Sequence, residues 1–137
     1  MKYRILVCFL LGSFMTLSAQ KTVKKDSNFA KSSEEGLLIY EDFCVNCHLP
    51  NGQGVEKTFP PLANSDYLMN NRELSIKAIK FGQQGEIVVN GITYNNVMAP
   101  LGLTDQEIAD VMNYITTSWG NKNKKMITKA EVSAIEQ

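Results

Sequence analysis

Cys44-Val45-Asn46-Cys47-His48 constrains this chain more than any other stretch, because C-x-x-C-H is the run through which a haem is joined covalently to a polypeptide. Two thiols separated by two residues can each reach one vinyl group along the same porphyrin edge and add across it. The histidine that follows is then held under the iron, where a neutral imidazole nitrogen is a good ligand. The tether between Cys47 and His48 is so short that this ligation is effectively intramolecular.

Two other chemistries use paired cysteines. A structural zinc site needs two further Cys or His ligands, but the only other cysteine is Cys8 and the only histidine is His48. A thioredoxin-like redox pair sits in a βαβ setting, whereas Cys47 is followed by the turn residues Pro50-Asn51-Gly52-Gln53-Gly54. The residues therefore point to one haem c, with Cys44 and Cys47 as attachment points and His48 as an iron ligand.

The N-terminus reads as an export signal over residues 1–19. Lys2 and Arg4 precede a mostly apolar run from Ile5 to Leu17, and Ser18-Ala19 offers small residues for cleavage. The run is too short to span a bilayer comfortably, since a helix needs about 20 residues. Cleavage after Ala19 is the expected outcome and places the protein in the periplasm. Retention as an uncleaved membrane-tethering anchor is the alternative, because Leu17 is large for its position relative to the cleavage site. Cleavage also removes Cys8 and leaves only the two motif cysteines, so no structural disulfide is expected. The remaining 118 residues suffice for one domain. Fourteen basic and fourteen acidic residues balance in the whole chain, and loss of Lys2 and Arg4 leaves a net charge of −2. Such a charge gives no reason to expect nucleic-acid binding.

Residues 20–32, polar and rich in Lys, Ser, Asn and Asp, read as a flexible leader. Ser33 then offers a helix cap, with Glu34 and Glu35 suited to the first turn. Leu37, Tyr40 and Cys44 fall on one helical face leading into the motif. Gly36 lies inside this helix, where glycine costs about 1 kcal/mol against alanine; a close crossing with another helix would explain it. Residues 49–63 carry three of the four prolines and form a loop. A helix start follows at Asn64 to Tyr67, then a second helical stretch from Asn70 to Phe81 with Leu74, Ala78 or Ile79, and Phe81 on its apolar side. Ile87-Val88-Val89 reads as an extended segment against the cofactor edge, with a short strand as the alternative. Thr104 and Glu107 form a capping box for a helix with Ile108, Val111, Met112 and Ile115 on its apolar face, ending near Trp119-Gly120. Residues 121–137 are a C-terminal extension. A short helix is expected between Thr128 and Ile135, packed weakly through Val132 and Ile135.

With one histidine, the second axial ligand cannot be another histidine from the same chain. Met69, Met98, Met112 and Met126 remain after cleavage. Met112 belongs to the apolar face of a helix, Met69 to an Asn-rich helical stretch and Met126 to the tail. Met98 is preferred, because it lies in a loop stiffened by Pro100 and can present its thioether without a helix backbone crowding the ring.

From Ser33 to Gly120 the chain resembles a class I cytochrome c. That resemblance implies an all-α fold in which N- and C-terminal helices cross and loops wrap one covalently bound haem. It matches Gly36 and Tyr40 to the glycine and aromatic residue of the crossing, with Tyr114 as the partner, and Met98 to the loop methionine. It also matches Pro60 to the proline whose carbonyl receives the proximal histidine's proton, a contact that orients the ring and raises its donor strength. The runs Val97-Met98-Ala99-Pro100 and Ser118-Trp119-Gly120-Asn121 are similar to those of small bacterial cytochromes c and of cytochrome domains attached to periplasmic dehydrogenases and reductases. Leu49-Pro50 departs from the family pattern, where glycine or a small residue is common. The implied function is that of a monomeric electron carrier, not an enzyme. It would exchange single electrons with larger redox proteins, a dehydrogenase, reductase or terminal oxidase. The competing class is a haem enzyme or gas sensor with an open sixth iron position.

Overall fold

No proline or glycine interrupts the chain between Leu17 and Glu35, and the consequence is one long helix. The computed structural model describes the backbone of residues 17–137 and the side chains from residue 27 onward. The export signal expected over residues 1–19 lies, as far as residue 16, outside the described residues. Helix α1 runs Leu17–Phe43, so residues 20–32, expected as a flexible leader, are helical. Ala, Gln and Lys are good helix formers, and polarity alone does not stop a helix. Ser33 is inside the helix instead of capping it, and its hydroxyl lies 3.3 Å from that of Thr117. The compact unit that carries the site comprises residues 31–137. It therefore begins before Ser33, with the buried Ser32 bonded to the Asp110 carboxylate and accepting from Asn113 Nδ2 at 2.8 Å.

One further turn of helix, α2 (Val45–His48), carries the motif after Cys44. The proline loop is tied by its own backbone: Gly52 O accepts from Leu62 N at 2.7 Å and Ala63 N at 2.8 Å, and Val55 pairs with Phe59. Ser65 caps α3 (Asp66–Asn70) by accepting from Leu68 N. Helix α4 (Arg72–Phe81) buries Ser75, Ile76 and Ile79. Leu74, expected on the apolar side, is 50% exposed, because the inward stripe starts one residue later.

Residues 87–94 form a hairpin, a correction to the unpaired segment expected there. Strands β1 (Ile87–Val89) and β2 (Ile92–Tyr94) pair antiparallel with Val89 opposite Ile92. Asn90 and Gly91 make the turn with φ of 52° and 77°, both positive as a two-residue turn of this kind requires. The remainder is helical, so the all-α expectation holds apart from this ribbon.

Helix α5 (Asp105–Ile115) starts on the complete Thr104–Glu107 capping box. It stops four residues short of Trp119, the chain continuing in turns. α5 crosses α1 at Gly36, and α6 (Lys129–Ser133) packs on α5. The extension is integral to the core: Ile127 and Val132 are fully buried with Ile76, Ile108, Val111 and Met112. Its polar groups are also held. Asn113 donates to Ile127 O at 2.8 Å and accepts from Ile127 N at 2.7 Å, and Arg72 pairs with Glu131. Val132 packs tightly because these distant partners bring it in, which its own sparse apolar pattern did not indicate. Among the described residues no helix is long and apolar enough to cross a membrane.

Candidate functional site

The helical turn through Cys44 to His48 forms one wall of a cavity whose other walls come from the proline loop, α3, α4, the hairpin and α5. Counted with its open side, the empty space is about 1040 Å³, enough for a large planar ligand. Phe59, Pro61, Leu62, Leu68, Ile79, Val89, Val111 and Ile115 give it an apolar lining.

Cys44, Cys47 and His48 all reach this cavity. Neither sulfur is engaged in a disulfide, and Cys44 is buried while Cys47 is exposed. Burial pushes the Cys44 thiol up to about 11, with Cys47 adding to the effect. Tyr40 secures the end of the motif, its hydroxyl donating to Leu49 O at 2.6 Å. Burial raises the Tyr40 phenol far above its ordinary range, so it remains a donor at any ordinary pH.

His48 Nδ1 donates to the carbonyl oxygen of Pro60 at 2.9 Å. One ring nitrogen is thus committed to the backbone, and Nε2 is left as the atom with a free lone pair. Burial lowers the His48 pKa, opposed by the Pro60 bond, so the ring is neutral at pH 7, the form that binds a metal. Gly54 N donates to His48 O at 2.9 Å, which joins the motif to the loop that supplies Pro60.

Met98 and Met112 line the cavity, whereas Met69 and Met126 are not among its lining residues. Met112 is fully buried in α5. Met98 lies on the loop after the hairpin and is half-buried, with its backbone paired to Gln83. The fold therefore brings Cys44, Cys47, His48, Pro60 and Met98 together around one space.

The residues suit a covalent haem. Two free thiols, one neutral imidazole oriented by a carbonyl, one thioether and an apolar interior match the porphyrin edge, the iron and the ring faces in turn. Among the described residues no group of three or more His, Cys, Asp or Glu comes together as a metal cluster. Ile87, Val89 and Tyr94 of the hairpin also line the cavity, and sequence reasoning missed them as a paired wall. Asn90-Gly91 between two β-branched runs was the available signal.

Comparison with known proteins agrees with this geometry. Residues 33–119 match the family described as Cytochrome c. Cytochrome c-552 of Thermus thermophilus is 40% identical over 115 residues, covering 77% of this chain and 77% of that protein. A second Thermus thermophilus cytochrome c-552 is 41% identical over 110 residues, with 74% and 83% coverage. The cytochrome c subunit of a quinone alcohol dehydrogenase from Gluconacetobacter polyoxogenes is 31% identical over 118 residues; the match covers 76% of this chain and 23% of that larger subunit.

Proposed function

The chain belongs to the cytochrome c family and carries covalently bound haem c, and on that premise we propose that it is an exported, monomeric, single-haem carrier of electrons between larger redox proteins. Cys44 and Cys47 would hold the porphyrin through thioether bonds, and His48 Nε2 and the Met98 sulfur would ligate the iron. When bound, the haem would supply one-electron redox chemistry at its iron. The chain's residues determine how it does so. Pro60 fixes the imidazole's orientation, and the apolar lining keeps water from the ring faces. Met98 on the iron would fill the position that a small ligand needs, which would disfavour chemistry at the metal. A histidine–methionine pair also raises the potential relative to two nitrogen ligands.

What supports this reading is a single arrangement: His48 is held through Nδ1 by Pro60, and Met98 stands in the wall of the same cavity. The export signal in residues 1–19 supports a periplasmic location, where donor and acceptor would be a dehydrogenase and a reductase or terminal oxidase.

Met98→Ala tests the ligand set. The pigment should stay attached through denaturation and acid-acetone extraction. The weak red charge-transfer band of a sulfur-ligated ferric haem should disappear, the potential should fall, and the reduced iron should bind carbon monoxide. The same change at Met69, Met112 or Met126 should do none of these. A wild-type protein that lacks the band and binds carbon monoxide would instead be an enzyme or sensor with an open iron site.

A further inference from the structure

Met98 is held at a point where two segments meet through backbone alone. Its N–H donates to Gln83 O at 2.9 Å and its carbonyl accepts from Gln83 N at 2.8 Å, an isolated antiparallel bridge. Gly82, the residue before, ends α4 with φ of 87°. A β-carbon there would lie 2.8 Å from the Met98 carbonyl oxygen and 3.0 Å from Pro100 Cδ. That end of α4 is itself anchored: Lys80 Nζ donates to Val132 O at 2.8 Å and Ile135 O at 3.2 Å, and pairs with Asp105 at 3.2 Å. Between Gln83 and Met98 the chain forms the β1–β2 hairpin, so the bridge closes a lobe whose own pairing holds it together.

We propose that Gly82 and Gln83 are positioning residues that present the Met98 thioether to the haem iron from a backbone fixed before ligation, with Lys80 as their anchor. The inference rests on the reading of Met98 as the sixth ligand. A methionine on a free loop would have its sulfur over the iron only part of the time, and apparent ligation weakens by that fraction. Two backbone hydrogen bonds closing a short loop remove most of that loss, because the ordering cost is met by the loop's own pairing. Glycine is needed at 82 for two separate reasons, its positive φ and the closeness of the Met98 carbonyl.

Gly85 separates these two reasons, since its φ is 85° but nothing lies within 4 Å of where its β-carbon would be. Gly82→Ala and Gly85→Ala therefore carry a similar backbone penalty, and only the first disturbs Met98. In the haem-loaded protein, Gly82→Ala should weaken the red charge-transfer band and raise the apparent carbon monoxide affinity of the reduced form about tenfold, as the fraction of open iron rises. Gly85→Ala should stay near wild type in both. Equal behaviour of the two variants, with the band still lost in Met98→Ala, overturns the positioning role alone. A band that survives Met98→Ala overturns the ligand reading and this inference with it. Should Gly82→Ala not accumulate as holoprotein, amide exchange decides. The Gln83 and residue-98 amides should be as protected in Met98→Ala as in wild type, and their loss of protection would mean that the sulfur holds the loop, not the reverse.

Discussion

Gly36 lies so close to Asp110 that a β-carbon on it would stand 2.0 Å from the Asp110 carbonyl oxygen, and 2.9 Å from Tyr114 Cβ. Helix propensity and crossing geometry therefore predict opposite signs for Gly36→Ala. Propensity alone would stabilise α1 by about 1 kcal/mol. The crossing forces α1 and α5 apart, and overpacking of this kind costs about 1–3 kcal/mol. We expect Gly36→Ala to lower the melting temperature and Gly36→Val to lower it further. An increase for Gly36→Ala would show that α1 and α5 can separate without loss.

Acid should loosen the attachment of the extension to α4. The hydrogen bond from Arg72 holds the Glu131 carboxyl below the ordinary glutamate range, against a smaller opposing effect of burial. A pKa lower in the folded than in the unfolded chain means that the pairing stabilises the fold above the unfolded value of about 4.3. That contribution disappears as pH falls through the depressed folded value. Urea midpoints measured from pH 7 downward should therefore fall more steeply for wild type than for Glu131→Gln, and the two curves should converge in strong acid. Parallel curves would show that the pair contributes nothing.

Asn113 is the buried link between helix and extension. Asn113→Leu would remove both bonds to the Ile127 backbone and the donor to Ser32. Each buried group left unpaired costs about 1–3 kcal/mol, so the variant should be among the most destabilising single changes outside the haem ligands. The denaturant midpoint reads this directly, and a loss under about 0.5 kcal/mol, the scale of an ordinary surface substitution, would contradict it.

Local patterns in the chain announced themselves well. The C-x-x-C-H run and the Thr104–Glu107 capping box involve residues only a few positions apart; the capping box stands as read, and the run lies on a helical turn in the wall of an apolar cavity. The Asn90-Gly91 turn was equally local, yet three apolar residues in a row at 87–89 gave no alternation to mark a strand. The extension was not legible for a different reason. Val132 and Ile135 are too few to make a face, and their burial depends on Arg72, Lys80 and Asn113, far away in sequence. The leader failed in the opposite direction: its polarity indicated disorder, while the absence of breakers left helix open. Within the site, the loop setting of Met98 set it apart from Met69, Met112 and Met126, but nothing local indicated its pairing with Gln83.

Trp119 is the only tryptophan in the chain. Its ring lies 4.9 Å from that of Tyr40 and 5.2 Å from that of Tyr114, and it covers Gly52, whose carbonyl ties the proline loop together. One indole thus sits where α1, the C-terminal turns and the loop bearing Pro60 meet. A haem in the adjoining cavity absorbs at the wavelengths that an indole emits, so the native protein should be nearly dark in fluorescence. Unfolding lengthens the separation and restores the emission. The molecule contains its own optical gauge of whether these three segments are still assembled around the cofactor.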